Sequence, residues 1–376
     1  MATVQAATMI QPGEIGLREY PKPDVAEDAL LLKISAVGIC GSDKHMFAGK
    51  MNLSWPVIPG HEFSGVIEAI GPLANRAMKV VGGPLKEGDA VTVVPGTQAC
   101  GKCWFCIHVP HRPQLCPNRS VFGFRTSAEA PHLFGAFAEY LYVPGDAFVL
   151  KLPEGLPLER AALAEPLAVA QRAASRALAP GVPYAGEGFG LGVRCAVMGV
   201  GPIGLFVVAS LRSMGAGEII AVDLSGERLA FAEKFGATRF VNLSKLSREE
   251  RKEQILSWTD GVGPDVVIEA AGVPAAFEEG LDLVRRGGKL VEVGHYGDPG
   301  GVEIRPHQIC NKDVDILGSW AYPQIQFEPA LDMLSRTTLP IDDIITHRMP
   351  LSQVQAGIEI TGTGDCLKVI LSPHGS

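Results

Sequence analysis

The sequence predicts an α/β protein made of a strand-rich block and a doubly wound parallel sheet. Three observations carry that prediction. Residues 1 to about 165 alternate short apolar runs with Gly/Pro turns. From about 193 to 318 short, wholly apolar strands alternate with helical stretches. A Gly-x-Gly-x-x-Gly motif stands at the first strand–helix junction of that second region.

In the first block the runs ALLLKISAVGI, SGVIEAI, DAVTVVP and FAEYLYVP read as mostly antiparallel strands. In the second, VRCAVMG, EIIAVDL, DVVIEAAG and KLVEVG read as strands buried on both faces, with helices GLFVVASLRSMG and GERLAFAEKFGA between them. After about residue 318 come a helical run, FEPALDMLSR, an acidic turn and a closing strand, CLKVILS. This tail is too short for a core of its own, so it is expected to pack on the first block. The expected domains are therefore 1–168 with 316–376, and 169–315, a division that suits a chain of 376 residues.

An apolar fraction of 47% with 20% charged residues is that of a globular protein. A net charge of −8 without any Lys/Arg-rich run gives no electrostatic reason to expect nucleic acid or an anionic membrane as partner, a local basic patch being the alternative. The opening residues MATVQAATMIQPGE have neither a basic nor an apolar leader region, so a reducing cytoplasm is the expected compartment. Clustered cysteines there are more often metal ligands than disulfides. The uncharged stretch at 195–211 carries three glycines and a proline in its middle, which fits a buried strand, a tight turn and a helix better than a membrane span.

The motif at the junction is Gly199-x-Gly201-x-x-Gly204, with Pro202 and Ile203 inside it. Its first two glycines permit a tight turn and close approach of a pyrophosphate, and its third lets the helix pack on the strand. Asp223, nineteen residues beyond Gly204 at the end of the next strand, can bind the ribose hydroxyls of NAD and would repel the extra phosphate of NADP. The alternative is that it merely ends the strand. Arg228 either lies beside the adenosine or faces solvent.

Two groups of potential metal ligands stand out. Cys100, Cys103, Cys106 and Cys116 lie within seventeen residues and can close a four-thiolate zinc site, which has no place for substrate. Unmetallated buried thiols are the alternative, and His108 or His111 remains open as a replacement for one sulfur. The second group is scattered. GICGSDKH, PGHEFSG and LAEPLAV supply Cys40, His61 with Glu62, and Glu165, a mixed set suited to a zinc that keeps a position for water or alcohol; no spacing groups them, and a histidine beside glutamate after Pro-Gly is more often a turn residue than a ligand.

GHE followed by Gly at 60–65, the cysteine lobe near 100, Glu-Pro-Leu near 165 and GxGPIG near 200 together resemble the zinc-dependent medium-chain alcohol dehydrogenases, most closely the polyol (sorbitol-type) and threonine dehydrogenase branch. The resemblance spans essentially the whole chain. It implies a GroES-like catalytic domain and a Rossmann NAD-binding domain, with two zinc ions per chain, one catalytic and one structural. It makes Cys40, His61 and Glu62 the catalytic zinc shell and puts Glu165 where that branch has a carboxylate meeting the metal directly or through water. Ser42 matches the hydroxyl that bonds the substrate alcohol, His45 the histidine that passes its proton to solvent, and Asp43 the carboxylate that orients His61. Val293 and Gly294, and Glu269–Gly272 before them, match the nicotinamide wall. The fourth cysteine follows a loop of nine residues, longer than the family's usual one, and is kept as a ligand.

The expected activity is oxidation of a secondary alcohol (a polyol, sugar, diol or hydroxy amino acid) by NAD in a cleft between the domains, by a homodimer or homotetramer. A zinc-braced scaffold without catalysis and a zinc-free reductase of the same superfamily are the competing readings; both predict the loss of ligands that are present here. Insertions relative to the family are expected at 71–85 and 180–192. Phe47, Trp55, Phe122 and Phe124 line either the pocket or the core, and Arg125, His295 and Tyr296 are candidates for contacting substrate hydroxyls.

Overall fold

The apolar runs of the first block become strands in the order read. A computed structural model describes residues 2–177, 192–364 and 366–375. An antiparallel hairpin, β1 (Thr3–Gln11) and β2 (Glu14–Pro21), precedes β3 (Leu30–Gly38), β4 (Glu62–Ile70), β5 (Lys79–Val81), β6 (Ala90–Val93), β7 (Tyr140–Val143) and β8 (Phe148–Lys151). In β3 only Lys33 is exposed, because the strand pairs with β4 and β7 and is covered on both faces; that is why its sequence runs apolar instead of alternating. Gly38 at its end lies opposite Glu62, and a side chain there would collide with the Glu62 carboxylate, so the glycine makes room for it.

The second block gives β9 (Arg194–Met198), β10 (Glu218–Asp223), β11 (Arg239–Asn242), β12 (Val266–Glu269), β13 (Lys289–Glu292) and β14 (Asp315–Gly318). All are parallel, in the order β11-β10-β9-β12-β13-β14. The order reverses between β9 and β12, and the crevice at such a reversal is where doubly wound sheets bind ligands. The stretch at 195–211 is indeed strand, turn and helix, the helix being Pro202–Ser213 with its residues from Gly204 to Leu211 buried. Among the described residues no helix is long and apolar enough to cross a membrane.

The tail returns as expected. A helix Phe327–Arg336 leads to β15 (Ile345–Pro350) and β16 (Lys368–Ser372), and β16 pairs antiparallel with β3 while β15 runs parallel to β16. The finished sheet has eight strands, in the order β15-β16-β3-β4-β6-β8-β5 with β7 on β3. The chain forms two compact units, Met1–Glu165 with Tyr322–Ser376, and Pro166–Ala321. The expected boundary at 315/316 falls inside β14, whose ladder to β13 binds it to the parallel sheet, so the division comes after Ala321 instead. At the other end it comes after Glu165, three residues before the expected 168/169. The expected insertion at 71–85 forms a helical turn, Ala74–Ala77, and β5, which adds a strand beside β8. Of the insertion at 180–192, all but Gly192 lies outside the described residues.

Each unit has its own core. In the parallel-sheet unit one face of the sheet, with Ala196, Met198, Ile220, Val222, Val267 and Leu290, packs against residues such as Ile255 and Leu281 from the helices. Phe206, on the buried helix after the glycine motif, is fully buried. Phe206→Ala is expected to destabilise that unit by about 3–5 kcal/mol. Denaturant unfolding checks this, the expected result being a lower midpoint with an unchanged slope.

Candidate active site and metal centres

Cys40 sits at the end of the β3 segment, just ahead of the helix Gly41–Phe47, and Asp43 Oδ2 accepts the Cys40 backbone N–H over 2.8 Å. That bond is one half of a capping box, and it fixes the cysteine by the local sequence Cys-Gly-Ser-Asp. His61 and Glu62 arrive at the start of β4, across the sheet. One ligand atom from each of Cys40, His61 and Glu62 lies within 4.8 Å of the others. Glu165, the second residue of the helix Ala164–Ala177, stands outside that tight trio but interacts electrostatically with His61 and Glu62.

Ser42 Oγ is 3.4 Å from His61 Nε2. Asp43 Oδ1 faces His61 Nδ1 at 3.7 Å, too long for a hydrogen bond, and both atoms are buried without a hydrogen-bond partner. His45 is half-buried one turn further along the same helix; its pKa is lowered by burial, with Lys50 and Lys44 adding.

Two groups escaped the sequence reading. Lys368 Nζ, in β16, donates to both oxygens of Glu62 at 2.9 and 2.7 Å and to the Ile39 carbonyl at 3.1 Å. Tyr322 Oη donates to Glu165 Oε1 over 3.1 Å. All four side chains are buried. A lysine inside the apolar strand CLKVILS was a legible signal, since a buried lysine needs a partner. Tyr322 carried none, because nothing in its neighbourhood points to a partner 157 residues away.

Burial by itself would lower the pKa of His61, but Asp43, Cys40 and Glu165 outweigh it and push the imidazole up to about 10. Burial pushes the Glu165 carboxyl up to about 7, with Glu62 adding to it and His61 opposing. The pocket therefore gathers a thiol and carboxyl groups around one imidazole, with Lys368 bonded to Glu62. The unpaired Nδ1 and Oδ1 and the S, N, O donor set fit a divalent cation of zinc type, which would supply the missing positive charge.

The second metal-type group is the cysteine lobe. Cys103 Sγ lies 3.4 Å from Cys106 Sγ and 3.8 Å from Cys116 Sγ, and Cys100 Sγ lies 3.9 Å from Cys106 Sγ. A 3-10 turn at Pro113–Leu115 folds the nine-residue loop back, so Cys116 joins the cluster. Asn118 Nδ2 donates to Cys100 Sγ at 3.3 Å, and the Cys100 backbone N–H to Cys116 Sγ at 3.4 Å. Four sulfurs at this spacing fit a tetrahedral zinc whose coordination is closed. His108 stacks on Trp104 with ring centroids 4.7 Å apart, and His111 is exposed; neither belongs to the cluster.

In the parallel-sheet unit Gly199 has φ +86°, and a side chain there would come within 2.6 Å of Ala271, so the turn needs glycine. Gly201 precedes the helix that starts at Pro202, Ile203 and Gly204, and leaves its N-terminus open to an anion. Asp223 accepts the Val200 backbone N–H with Oδ2 and that of Ser225 with Oδ1, both at 2.9 Å. It thus holds the glycine turn as well as ending its strand, and each oxygen retains a further lone pair. Arg228 lies over the turn, with Nη1 3.8 Å from where a side chain on Gly201 would begin, and its buried Nε has no hydrogen-bond partner. These features fit a dinucleotide.

At the ends of β12 and β13, Glu269 and Glu292 are register partners. Glu269 Oε1 accepts the N–H groups of Ala271 and Gly272, and Glu292 Oε1 accepts that of His295 and its Nδ1. Burial and the neighbouring Glu292 push the Glu269 carboxyl up to about 8. The Val293 and Gly294 N–H groups both bond the Glu269 carbonyl, joining the two turns. Tyr296 stacks on Trp320 and is exposed.

Of the aromatic candidates, Phe122 is core, edge-on to Phe63 at 6.0 Å, whereas Phe124 lies 5.3 Å from the His61 ring. Phe47 and Trp55 pack partly buried on the same core. Arg125 lies over the Phe134 ring at 3.6 Å.

Residues 26–154 match the family described as alcohol dehydrogenase GroES-like domain, and residues 202–336 match the zinc-binding dehydrogenase family. The chain is 34% identical to a sorbitol dehydrogenase of Bacillus subtilis, over 99% of this chain and 98% of that protein. It is 30% identical to an L-threonine 3-dehydrogenase of Bacillus licheniformis, over 98% of each. A crystal structure of an alcohol dehydrogenase from Thermotoga maritima superposes with a TM-score of 0.89 at 31% identity, covering 99% of this chain and 100% of that one. The chain therefore belongs to the zinc-dependent medium-chain alcohol dehydrogenases, in their polyol and threonine dehydrogenase branch.

Proposed function

We propose that this protein oxidises a secondary hydroxyl of a polyol, sugar, diol or hydroxy amino acid with NAD as hydride acceptor, using one catalytic and one structural zinc per chain. The observation that carries the reading is the trio Cys40, His61 and Glu62, the last two buried, within 4.8 Å of one another beside the hydroxyl of Ser42. The relatives support the substrate class, since sorbitol and threonine are the substrates their names state.

Cys40, His61 and Glu62 would hold the catalytic zinc, with Glu165 meeting it directly or through water. Bound there, zinc is a Lewis acid that lowers the pKa of an alcohol and makes hydride departure feasible near neutral pH. The substrate's proton would pass to Ser42 Oγ as the serine's own proton moves on toward His45, and from His45 to solvent. Burial, with Lys50 and Lys44 adding, lowers the pKa of His45 and so favours its neutral ring. Asp43, facing His61 Nδ1 at 3.7 Å, would orient the ring electrostatically with Nε2 on the side of Ser42. Lys368, bonded to both of its oxygens, holds the Glu62 carboxyl in place. Cys100, Cys103, Cys106 and Cys116 would hold the structural zinc.

Asp223 binds the ribose hydroxyls, Arg228 the adenosine, and the Gly199–Gly204 turn the pyrophosphate. Val293 and Gly294 form the nicotinamide wall. The reading includes a reducing cytoplasm, in keeping with eight free cysteines. It also includes a homodimer or homotetramer, in keeping with β14 at the sheet edge with Ile316 exposed.

Two measurements test it. Cys40→Ala is expected to lose one zinc per chain and nearly all turnover while NAD binding persists; full turnover at one zinc per chain refutes the assignment. Asp223→Ser is expected to raise kcat/KM with NADP relative to NAD by about tenfold or more, the size of one lost charge repulsion. An unchanged ratio refutes the ribose role.

A further inference from the structure

Glu165 is the last residue before the chain leaves the eight-stranded unit, and Tyr322 is the first after it returns. The two crossing points are tied together by the buried bond from Tyr322 Oη to Glu165 Oε1, 3.1 Å long. Ala321, just before the tyrosine, has φ +50°, a left-handed conformation that costs a non-glycine residue energy and persists only where the surroundings impose it.

The surroundings can be traced residue by residue. Buried Gln324, two residues beyond the tyrosine, donates Nε2 to the carbonyls of Gly96 and Thr97 at 3.0 and 2.8 Å. The Thr97 carbonyl also accepts Arg119 Nε at 3.0 Å, and Thr97 Oγ1 accepts the Ser120 N–H at 3.1 Å. Arg119 and Ser120 lie within a turn's length after Cys116, and Asn118, just before Arg119, donates to Cys100 Sγ. A continuous run of polar contacts therefore leads from the four sulfurs through Thr97 and Gln324 to the segment that carries Tyr322. The tyrosine ring itself packs on Phe327, centroids 5.7 Å apart, which restrains it further.

We propose that Tyr322 is a positioning residue for Glu165, and that the cysteine lobe acts on the catalytic centre by holding Tyr322 through Gln324. A phenol has one proton to give. Donating it to Oε1 fixes the rotation of the carboxylate and leaves Oε2 as the oxygen directed to the metal or its water. The inference rests on the reading of Glu165 as a group that meets the catalytic zinc.

The test uses the full-length enzyme with its catalytic zinc exchanged for cobalt, so that the visible absorption bands report the metal's surroundings independently of turnover. Tyr322→Phe removes only the hydroxyl. It is expected to shift those bands and to lower kcat/KM by about 10- to 100-fold, the usual cost of losing a group that orients a ligand. Two metals per chain and NAD affinity should be retained. Gln324→Leu, which touches neither metal, is expected to shift the bands in the same direction. Glu165→Gln separates the possibilities. If Tyr322→Phe leaves bands and kcat/KM at wild-type values while Glu165→Gln changes them, the positioning role is refuted and the reading of Glu165 stands. If Glu165→Gln changes neither, Glu165 does not meet the metal and both fall. A shift in Tyr322→Phe without one in Gln324→Leu refutes the part played by the lobe.

Discussion

The buried pair of Glu62 and Lys368 is the contact on which the eight-stranded unit turns. Both oxygens of the carboxylate receive the ammonium, at 2.9 and 2.7 Å, where neither group is open to water. Desolvating two charges is expensive, and the attraction offsets it only in good geometry with the remaining hydrogen-bond capacity satisfied. Here the third lysine proton goes to the Ile39 carbonyl, beside Cys40. One ammonium thus fixes a candidate ligand, steadies the segment leading to another, and joins β16 to β4 across β3. Gly38 completes the arrangement by leaving space that any side chain would take from the carboxylate. Removing either charge alone would strand the other, at a cost of about 3–5 kcal/mol.

The two sulfur-containing sites show opposite solutions to holding a cation. The cysteine lobe is locally encoded: four thiols within seventeen residues, one short turn and the asparagine after the last cysteine assemble it. The other site draws on the end of β3, the start of β4, a helix and β16, and its donors converge only when the sheet is complete. A closed set of four sulfurs leaves no place for a reactant, whereas a set of mixed donors with orphaned polar atoms does. The more chemically useful centre is the one the chain cannot build locally.

That difference also explains what could be read from the sequence. The glycine turn with Asp223, the apolar strands of the parallel sheet and the spacing of the cysteines are local patterns, and the structure carries each where the sequence put it. The helix FEPALDMLSR runs from Phe327 to Arg336 as read. Cys40, His61, Glu62 and Glu165 were found only through resemblance to a family, since no spacing rule links them. Lys368 and Tyr322 escaped because their partners lie 306 and 157 residues away, and pairing at that range leaves no periodicity behind. The domain boundary moved for a related reason: whether β14 closes the parallel sheet depends on its ladder to β13, not on its own composition.

Because β16 completes a sheet begun by β3, the eight-stranded unit is interrupted in sequence by the whole of the other one. Protein synthesis runs from the N-terminus, and domains tend to fold as they emerge. The parallel-sheet unit, contiguous from Pro166 to Ala321, can therefore fold while the ribosome is still making the lysine that Glu62 awaits. Until then the partial sheet holds an unneutralised carboxylate at its centre and exposes the side of β3 that β16 will cover. The order of translation thus gives the parallel-sheet unit a head start over the pocket of Cys40, His61 and Glu62, which is complete only once β16 has emerged.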